Sequence, residues 1–353
     1  MTRPSILSIG TAAPVGTVAQ ADAADIACAA IGDAQDARTV RAMFRRAGVE
    51  TRGSVLADED GAQSFYTSDT GAAPTTGDRM DEYRRHARAL AVTASSDALT
   101  RAGVDPSSIT HLITASCTGF DAPGPDQSIV HALGLGPRVR RTTIGFMGCH
   151  AAINALRVAD AFVRADPESR VLVCCIELCS LHLERNDDPR RQVANALFAD
   201  GAGAAVVAGS DGSAPAITRT DAIIIPDTPD LMTWRVGDHG FEMTLSPRVP
   251  GVLAEHVPEW TESWLAERGL ELRDIGSWAI HPGGPRVLST LRDALGLGAE
   301  ADHASREVLR RHGNMSSATL LFILRRLLDE DAPRPIAAMG FGPGLAGESI
   351  LFE

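Results

Sequence analysis

The chain has 353 residues, 44% hydrophobic and 22% charged, which suits a soluble globular protein of one large or two modest domains. All 33 basic residues are arginine, and no lysine occurs between Met1 and Glu353. A Schiff base needs a primary amine and a P-loop needs its lysine, so pyridoxal enzymes, lysine aldolases and Walker-type nucleotide hydrolases are excluded. A formal charge of −12, with the arginines scattered, argues against nucleic acid or an anionic membrane as partner. Any anionic ligand is left to local arginines or helix N-termini. The six cysteines, at 28, 117, 149, 174, 175 and 179, follow neither zinc spacing nor a secreted disulfide framework, so free thiols and no metal are expected.

In chain order, the apolar run 6–9 reads as a strand too short for a signal peptide. No stretch approaches the roughly 18 apolar residues of a membrane span, so a cytoplasmic protein is expected. Residues 56–81, rich in Gly, Ser, Thr, Asp and Ala, are expected to form a long surface excursion. Helical periodicity follows over 85–102, a strand over 111–116, a helix over 149–163, and strands over 171–178 and 203–208. The second half repeats the alternation with strands over 277–281 and 336–340 and helices over 286–295 and 316–330. This is the pattern of an α/β protein with buried strands.

A constant offset links the two halves. The strand ends Ser116 and His281, the helix starts Cys149 and Asn314, and the strand starts Val171 and Ile336 all lie 165 positions apart. A duplicated half is predicted, divided in the Gly-rich turn 209–216 into 1–212 and 213–353, with Cys149 opposite Asn314.

Cys149 stands in Ile144-Gly-Phe-Met-Gly-Cys-His-Ala-Ala152. Gly145 and Gly148 permit a tight strand-to-helix turn, and a cysteine in the first helical turn meets unpaired N–H groups and the positive end of the dipole. Both favour thiolate and would make a nucleophile, although inert packing is the commoner fate of a free cysteine. His150, about 100° further round the helix, reads as a packing residue. His281 ends its strand in Trp278-Ala-Ile-His-Pro-Gly-Gly-Pro285, where two glycines admit a close ligand or backbone. Asn314 follows Gly313. Singly, the histidine and asparagine read equally well as a strand cap and a turn or helix cap. Together, in this order, the three form a Cys-His-Asn set.

Gly148-Cys149, His281-Pro-Gly-Gly-Pro285, Gly313-Asn-Met-Ser-Ser317 and Gly340-Phe-Gly-Pro-Gly344 resemble the signatures of the type III polyketide synthases, the chalcone synthase superfamily. The resemblance runs from about Ile6 to the C-terminus and includes Ala196-Leu-Phe-Ala-Asp-Gly-Ala202 and Val249-Pro-Gly251. It implies an α/β thiolase-like fold of two pseudo-repeated halves in αβαβα layers, with mixed sheets and buried helices between them. A homodimer is implied too, working on CoA thioesters as substrates and without a cofactor. Cys149 would take the starter from an acyl-CoA, its pKa lowered by the helix start and by His281. His281 and Asn314 would hold the thioester oxygen of malonyl-CoA during decarboxylation, and repeated condensation would end in a pyrone, resorcinol or naphthalene.

By the same resemblance, Arg46, Arg286 and Gly283 would meet CoA, a duty the family gives partly to lysine. Phe198 and Met243 match the two gatekeepers, with Phe241 in place of Met243 if the loop slips. Cys117, Thr118, Cys179 and His182 match cavity-wall positions. Ala122 departs from the plant pattern, replacing a methionine sent across the dimer interface. The bacterial-type wall points to small or fatty acyl starters, or malonyl itself. Two other readings are a ketoacyl synthase III-like enzyme making one condensation, with an acyl carrier protein as a possible donor, and a thiol redox protein using vicinal Cys174 and Cys175, which a buried strand also explains.

Overall fold

The computed structural model describes residues 3–29, 31, 33–57, 64–66, 73–184, 192–212 and 214–353. Strand β1 (Arg3–Ala12) is followed by β2 (Thr17–Ala19), helices α1 (Gln20–Cys28) and α2 (Ala34–Arg46), β3 (Thr51–Gly53) and the long helix α3 (Thr76–Ala102). Then come β4 (His111–Ser116), α4 (Pro125–Leu133), β5 (Arg140–Gly145), α5 (Ala151–Ala165), β6 (Arg170–Leu178), α6 (Gln192–Leu197) and β7 (Asp200–Ser210). The remainder comprises β8 (Ile217–Ile224), β9 (Met232–Gly237), β10 (Gly240–Leu245), α7 (Val249–Ala266) and β11 (Ser277–Ile280). It closes with α8 (Pro285–Ala294), α9 (His303–His312), α10 (Ala318–Asp329), β12 (Ile336–Gly342) and β13 (Ala346–Phe352).

Two mixed sheets carry the fold, in the orders β1-β7-β6-β4-β5 and β11-β12-β13-β8. β4 runs parallel to β6, and β7 then β1 add antiparallel; β11 runs parallel to β12, and β13 then β8 add antiparallel. The same pairing series appears twice, as the offset of 165 predicts.

Between the sheets lie α5 and α10, which explains why both are apolar around most of their girth: Ala151 through Leu156 and Ala318 through Leu324 are buried without interruption. The alanines of α5 let it sit against Ile6, Val173 and Val207 of one sheet and share a core with Ala338 and Ile350 of the other. α3 covers the outer face of the first sheet, and α7 and α8 cover the outer face of the second. These are the five αβαβα layers of the thiolase-like fold. Among the described residues no helix is long and apolar enough to cross a membrane.

The stretch 56–81 departs from the expected surface excursion. α3 begins nine residues before its predicted start, fixed by a capping box in which Thr75 and Asp78 exchange hydrogen bonds, and it buries Arg79 and Tyr83. Tyr66 is also buried and donates its hydroxyl to Ser180 O at 2.6 Å. Residues 58–63 and 67–72 of that stretch lie outside the described residues.

Candidate active site

Cys149 enters on a left-handed glycine. Gly148 has φ +75°, a value that spares only glycine from strain, and a Cβ there would meet Pro343 Cδ at 2.6 Å. The chain then makes one 3-10 turn, Gly148–His150, and runs into α5. On the other side of the site, β11 ends as His281 N donates to Met339 O at 2.8 Å, after which Pro282 and two glycines lead to α8. Gly313 repeats the device with φ +71° and delivers Asn314.

All three side chains line one apolar cavity of about 410 Å³. The Asn314 amide is oriented: its Oδ1 accepts from Ser316 N at 2.9 Å, so Nδ2 is the end left to donate. His281 is 2% exposed, and neither ring nitrogen reaches a partner among the described residues. An unpartnered buried imidazole is costly, and it is the state expected of a group held for a substrate atom.

Burial dominates the electrostatics. It pushes the Cys149 thiol up to about 12 against pulls from Ser316 and Asn314, and it lowers His281 to about 3, helped by His150 and opposed by Asn314. The expectation that the helix start would give Cys149 a low pKa is therefore corrected. The cost of desolvating the thiolate, with the negative charge of Glu177 added, exceeds what the bonds to Ser316 and Asn314 return. His150, read as a packing residue, is buried and fixed by Nδ1 against Asn154 Oδ1 at 2.8 Å, with Asn154 in turn donating to Glu348.

Of the other expected site residues, Phe198, Met243, Arg46, Arg286 and Gly283 all line this cavity. Met243 is there and Phe241 is not; Phe241 stacks on His182 with ring centres 4.1 Å apart. Arg46 ends α2 and Arg286 stands in the first turn of α8; both are exposed at the rim and neither is paired with a carboxylate among the described residues. Cys117, Thr118, Cys179 and His182 stand behind this lining, with Cys117 and Cys179 close enough to Cys149 to feel its charge. Their polar atoms are spent inward. Thr118 Oγ1 and Cys117 N donate to Glu177, His182 Nε2 donates to Thr118 O at 2.6 Å while Nδ1 accepts from Phe241 N, and Trp234 Nε1 donates to Cys117 O. With no charge partner for the ring, burial lowers His182 to about 3.

Three residues of this region escaped the sequence reading. Glu177 is fully buried, holds four protein donors from Cys117, Thr118 and Ser317, and has its pKa raised by that burial. Its signal was a lone carboxylate inside the apolar run Val171–Leu178. Ser316 stands 3.2 Å from Cys117 Sγ and also bonds the Cys149 thiol, at a strained φ of +45°. Trp234 carried no signal, since its place depends on the β9–β10 hairpin. Cys174 and Cys175 are buried inside β6 and, unlike Cys149, line no part of this cavity, which argues against redox exchange.

Two family models span the chain: the N-terminal domain of chalcone and stilbene synthases matches residues 2–212, and the C-terminal domain matches 217–353. The chain belongs to the chalcone and stilbene synthase family, the type III polyketide synthases. It is 34% identical to the alpha-pyrone synthesis polyketide synthase-like Pks18 of Mycobacterium tuberculosis, over 99% of this chain and 90% of that protein. It is 32% identical to the 1,3,6,8-tetrahydroxynaphthalene synthase of Streptomyces peucetius, over 99% and 93%. Among solved structures, PKS-I of the brown alga Ectocarpus siliculosus superposes with a TM-score of 0.95 at 28% identity, covering 100% of this chain and 98% of that one. As a type III polyketide synthase the protein is an acyltransferase-class enzyme whose condensation chemistry runs on a cysteine nucleophile.

Proposed function

We propose that this synthase condenses malonyl-CoA, or a substituted malonyl-CoA, iteratively onto a starter acyl group carried by Cys149 and releases a pyrone, resorcinol or related small aromatic. The observation that carries the reading is the convergence on one apolar cavity of a thiol, an imidazole whose ring nitrogens hold no well-formed hydrogen bond among the described residues, and an amide that interacts with both. Cys149 passes its proton to His281, Sγ attacks the starter thioester carbon, and CoA leaves with that proton. Malonyl-CoA then loses CO₂, and the electron pair of the broken C–C bond becomes an enolate whose oxygen accepts from Asn314 Nδ2 and the His281 N–H. The enolate carbon attacks the acyl-Cys149 carbonyl, the C–S bond breaks, and the chain leaves two carbons longer on CoA, ready to reload.

CoA is anionic and the protein carries a net −12, so its phosphates need local help. Arg46, Arg286 and the N-terminus of α8 beside Gly283 offer it at the cavity mouth, with the guanidinium fork suited to phosphate oxygens. The named products of the two bacterial relatives, an alpha-pyrone and tetrahydroxynaphthalene, support small or fatty acyl starters, or malonyl itself, over a phenylpropanoid. The halves 1–212 and 213–353 serve as one catalytic unit, and two chains form a homodimer. Support for the dimer comes from the unpaired edge strand β5 and the neighbouring Phe120, Phe146 and Met147, which are 58%, 39% and 37% exposed within a short reach of Cys149.

Incubation with malonyl-CoA and a panel of acyl-CoA starters, read by mass spectrometry, tests the reading. Products of two or more extensions are expected, with Cys149→Ala reduced by roughly 10³-fold or more. A single condensation with every starter, or polyketides from Cys149→Ala, would refute it.

A further inference from the structure

Arg52 is 5% exposed, lies behind Ala196 and Phe198 of the cavity wall, and bonds no carboxylate among the described residues. Its NH1 donates to Asn195 O at 2.6 Å and Phe198 O at 2.8 Å, and its NH2 donates to Ala196 O at 2.8 Å and to Gln20 Oε1. Gln20 Nε2 reinforces the arrangement by donating to Ala196 O and Phe44 O. Asp200, whose charge acts on Arg52, spends its oxygens on Ser180 and Val55. Burying a cation without a contacting anion is expensive, and burial does lower this guanidinium to about 10, so it stays charged at neutral pH. Three of its acceptors are carbonyls at the end of α6, which has no following turn to satisfy them and presents the negative end of its dipole. A planar fork of donors meets three diverging carbonyls at once; an ammonium cannot.

The same segment holds the site. Leu197 O accepts from Asn314 N at 2.8 Å, and Ala199 N donates to Asn314 O at 2.9 Å, so the backbone of Asn314 is clamped on residues 197–199. Gly313 fits only because it lacks a side chain: a Cβ there would lie 2.8 Å from Ala199 Cβ and 3.4 Å from Arg52 Cβ. Leu197 and Phe198 line the cavity on the other side of that clamp.

We propose that Arg52 is a positioning residue for the condensation: by fixing the exit of α6 it fixes, through the two backbone hydrogen bonds, the Asn314 amide that faces the substrate oxygen. This rests on the role given above to Asn314. Two half-reactions are measured per active site titrated by starter acylation: acyl transfer to Cys149, in which the Asn314 amide assists only the thiolate, and CO₂ release from malonyl-CoA, in which it holds the enolate oxygen. Arg52→Gln should lose roughly tenfold or more in kcat for CO₂ release, with KM for malonyl-CoA unchanged and a smaller loss in the acylation rate. Arg52→Lys, which keeps the cation but loses the fork, should fall between that variant and the parent. It carries the test alone if the glutamine variant does not fold. Equal loss in both half-reactions, or an Arg52→Lys protein with the parent ratio, would overturn the proposal, the former by reducing Arg52 to a general stabiliser. A parent enzyme that releases no CO₂ from malonyl-CoA would instead remove the functional reading and the proposal with it.

Discussion

The two halves of the molecule use one strand-pairing series and one local device, a left-handed glycine before the working residue, yet they seat that device differently. Gly148 rests on Pro343, a ring carried by the loop after β12, and the turn that presents Cys149 is seated chiefly by that packing, with a long bond from Phe146 N to Ser116 O at 3.4 Å and its own bond from Ala151 N to Gly148 O beside it. Gly313 rests on Ala199 and Leu197, and the turn that presents Asn314 is also held by two backbone hydrogen bonds and, behind them, by a buried guanidinium. Each half thus supports the working residue of the other. The nucleophile must accept, carry and release an acyl chain, so a seat by packing suffices for it. An amide that stabilises charge only in the transition state gains from a fixed direction, because a donor that must reorient gives back much of what it contributes. The pairing series occurs twice; the division of labour follows from what each turn rests on.

The largest expected effect breaks the division itself. Asn314→Ala removes the directed donor and should lower CO₂ release from malonyl-CoA by about 10² to 10³ in kcat, while starter acylation of Cys149 continues. Radiolabelled malonyl-CoA and mass spectrometry of the intact acyl-enzyme read the two steps separately. Acylation lost in parallel with CO₂ release would mean that the two halves do not divide the chemistry as described. A smaller effect compares the seats. Gly313→Ala and Gly148→Ala both force a side chain into a left-handed backbone and into contact, at a cost of about 1–3 kcal/mol each from backbone strain alone. Gly313→Ala should lower the denaturation midpoint more, since it also meets the backbone oxygen of Leu197 at 3.1 Å, whereas Gly148→Ala presses on a proline ring. The reverse order in urea unfolding would show that the proline loop is the stiffer seat.

What could be read from the sequence follows which residues carry local signals. β4 is found at its predicted bounds and β6 and β12 within a few residues of theirs, because fully buried strands are continuous apolar runs that need no partner to be recognised. Cys149, His281 and Asn314 were legible because each follows or ends an element at a glycine or proline punctuation. The start of α3 was not, because Thr76–Arg84 is polar and becomes helical through the Thr75 and Asp78 cap and the burial of Arg79 and Tyr83 against distant residues. The surroundings of Cys117, Thr118 and His182 were not legible for a related reason. Which face of those residues meets the cavity is decided by Glu177, Trp234 and Phe241, which arrive from two other segments. Arg52 sits in a bare Thr-Arg-Gly and gives no sign of its three carbonyl partners, and the high pKa of Cys149 reflects a burial that no local window reports.

That burial leads to the last expectation, on how the halves share a proton. Taken alone, the Cys149 thiol is raised to about 12, so it stays protonated until the pH climbs through that value, and His281 is lowered to about 3, so it stays neutral until the pH falls that far. Near neutrality both groups are uncharged, and a thiolate formed by passing the proton to His281 is favoured over one that gives it to solvent, because the two new charges stabilise each other in a low-dielectric site. Removing the ring leaves solvent as the only acceptor, against the full cost of a buried anion. The pH at which ligand-free enzyme is half-maximally alkylated by iodoacetamide should therefore rise in His281→Gln, by about one unit or more, which corresponds to roughly 1.4 kcal/mol. Cys149→Ala protein supplies the background from the other five cysteines, all of them buried. Coincident profiles for parent and His281→Gln would mean that the thiol of one half ionises without the imidazole of the other, and that the proton-sharing arm of the division is absent.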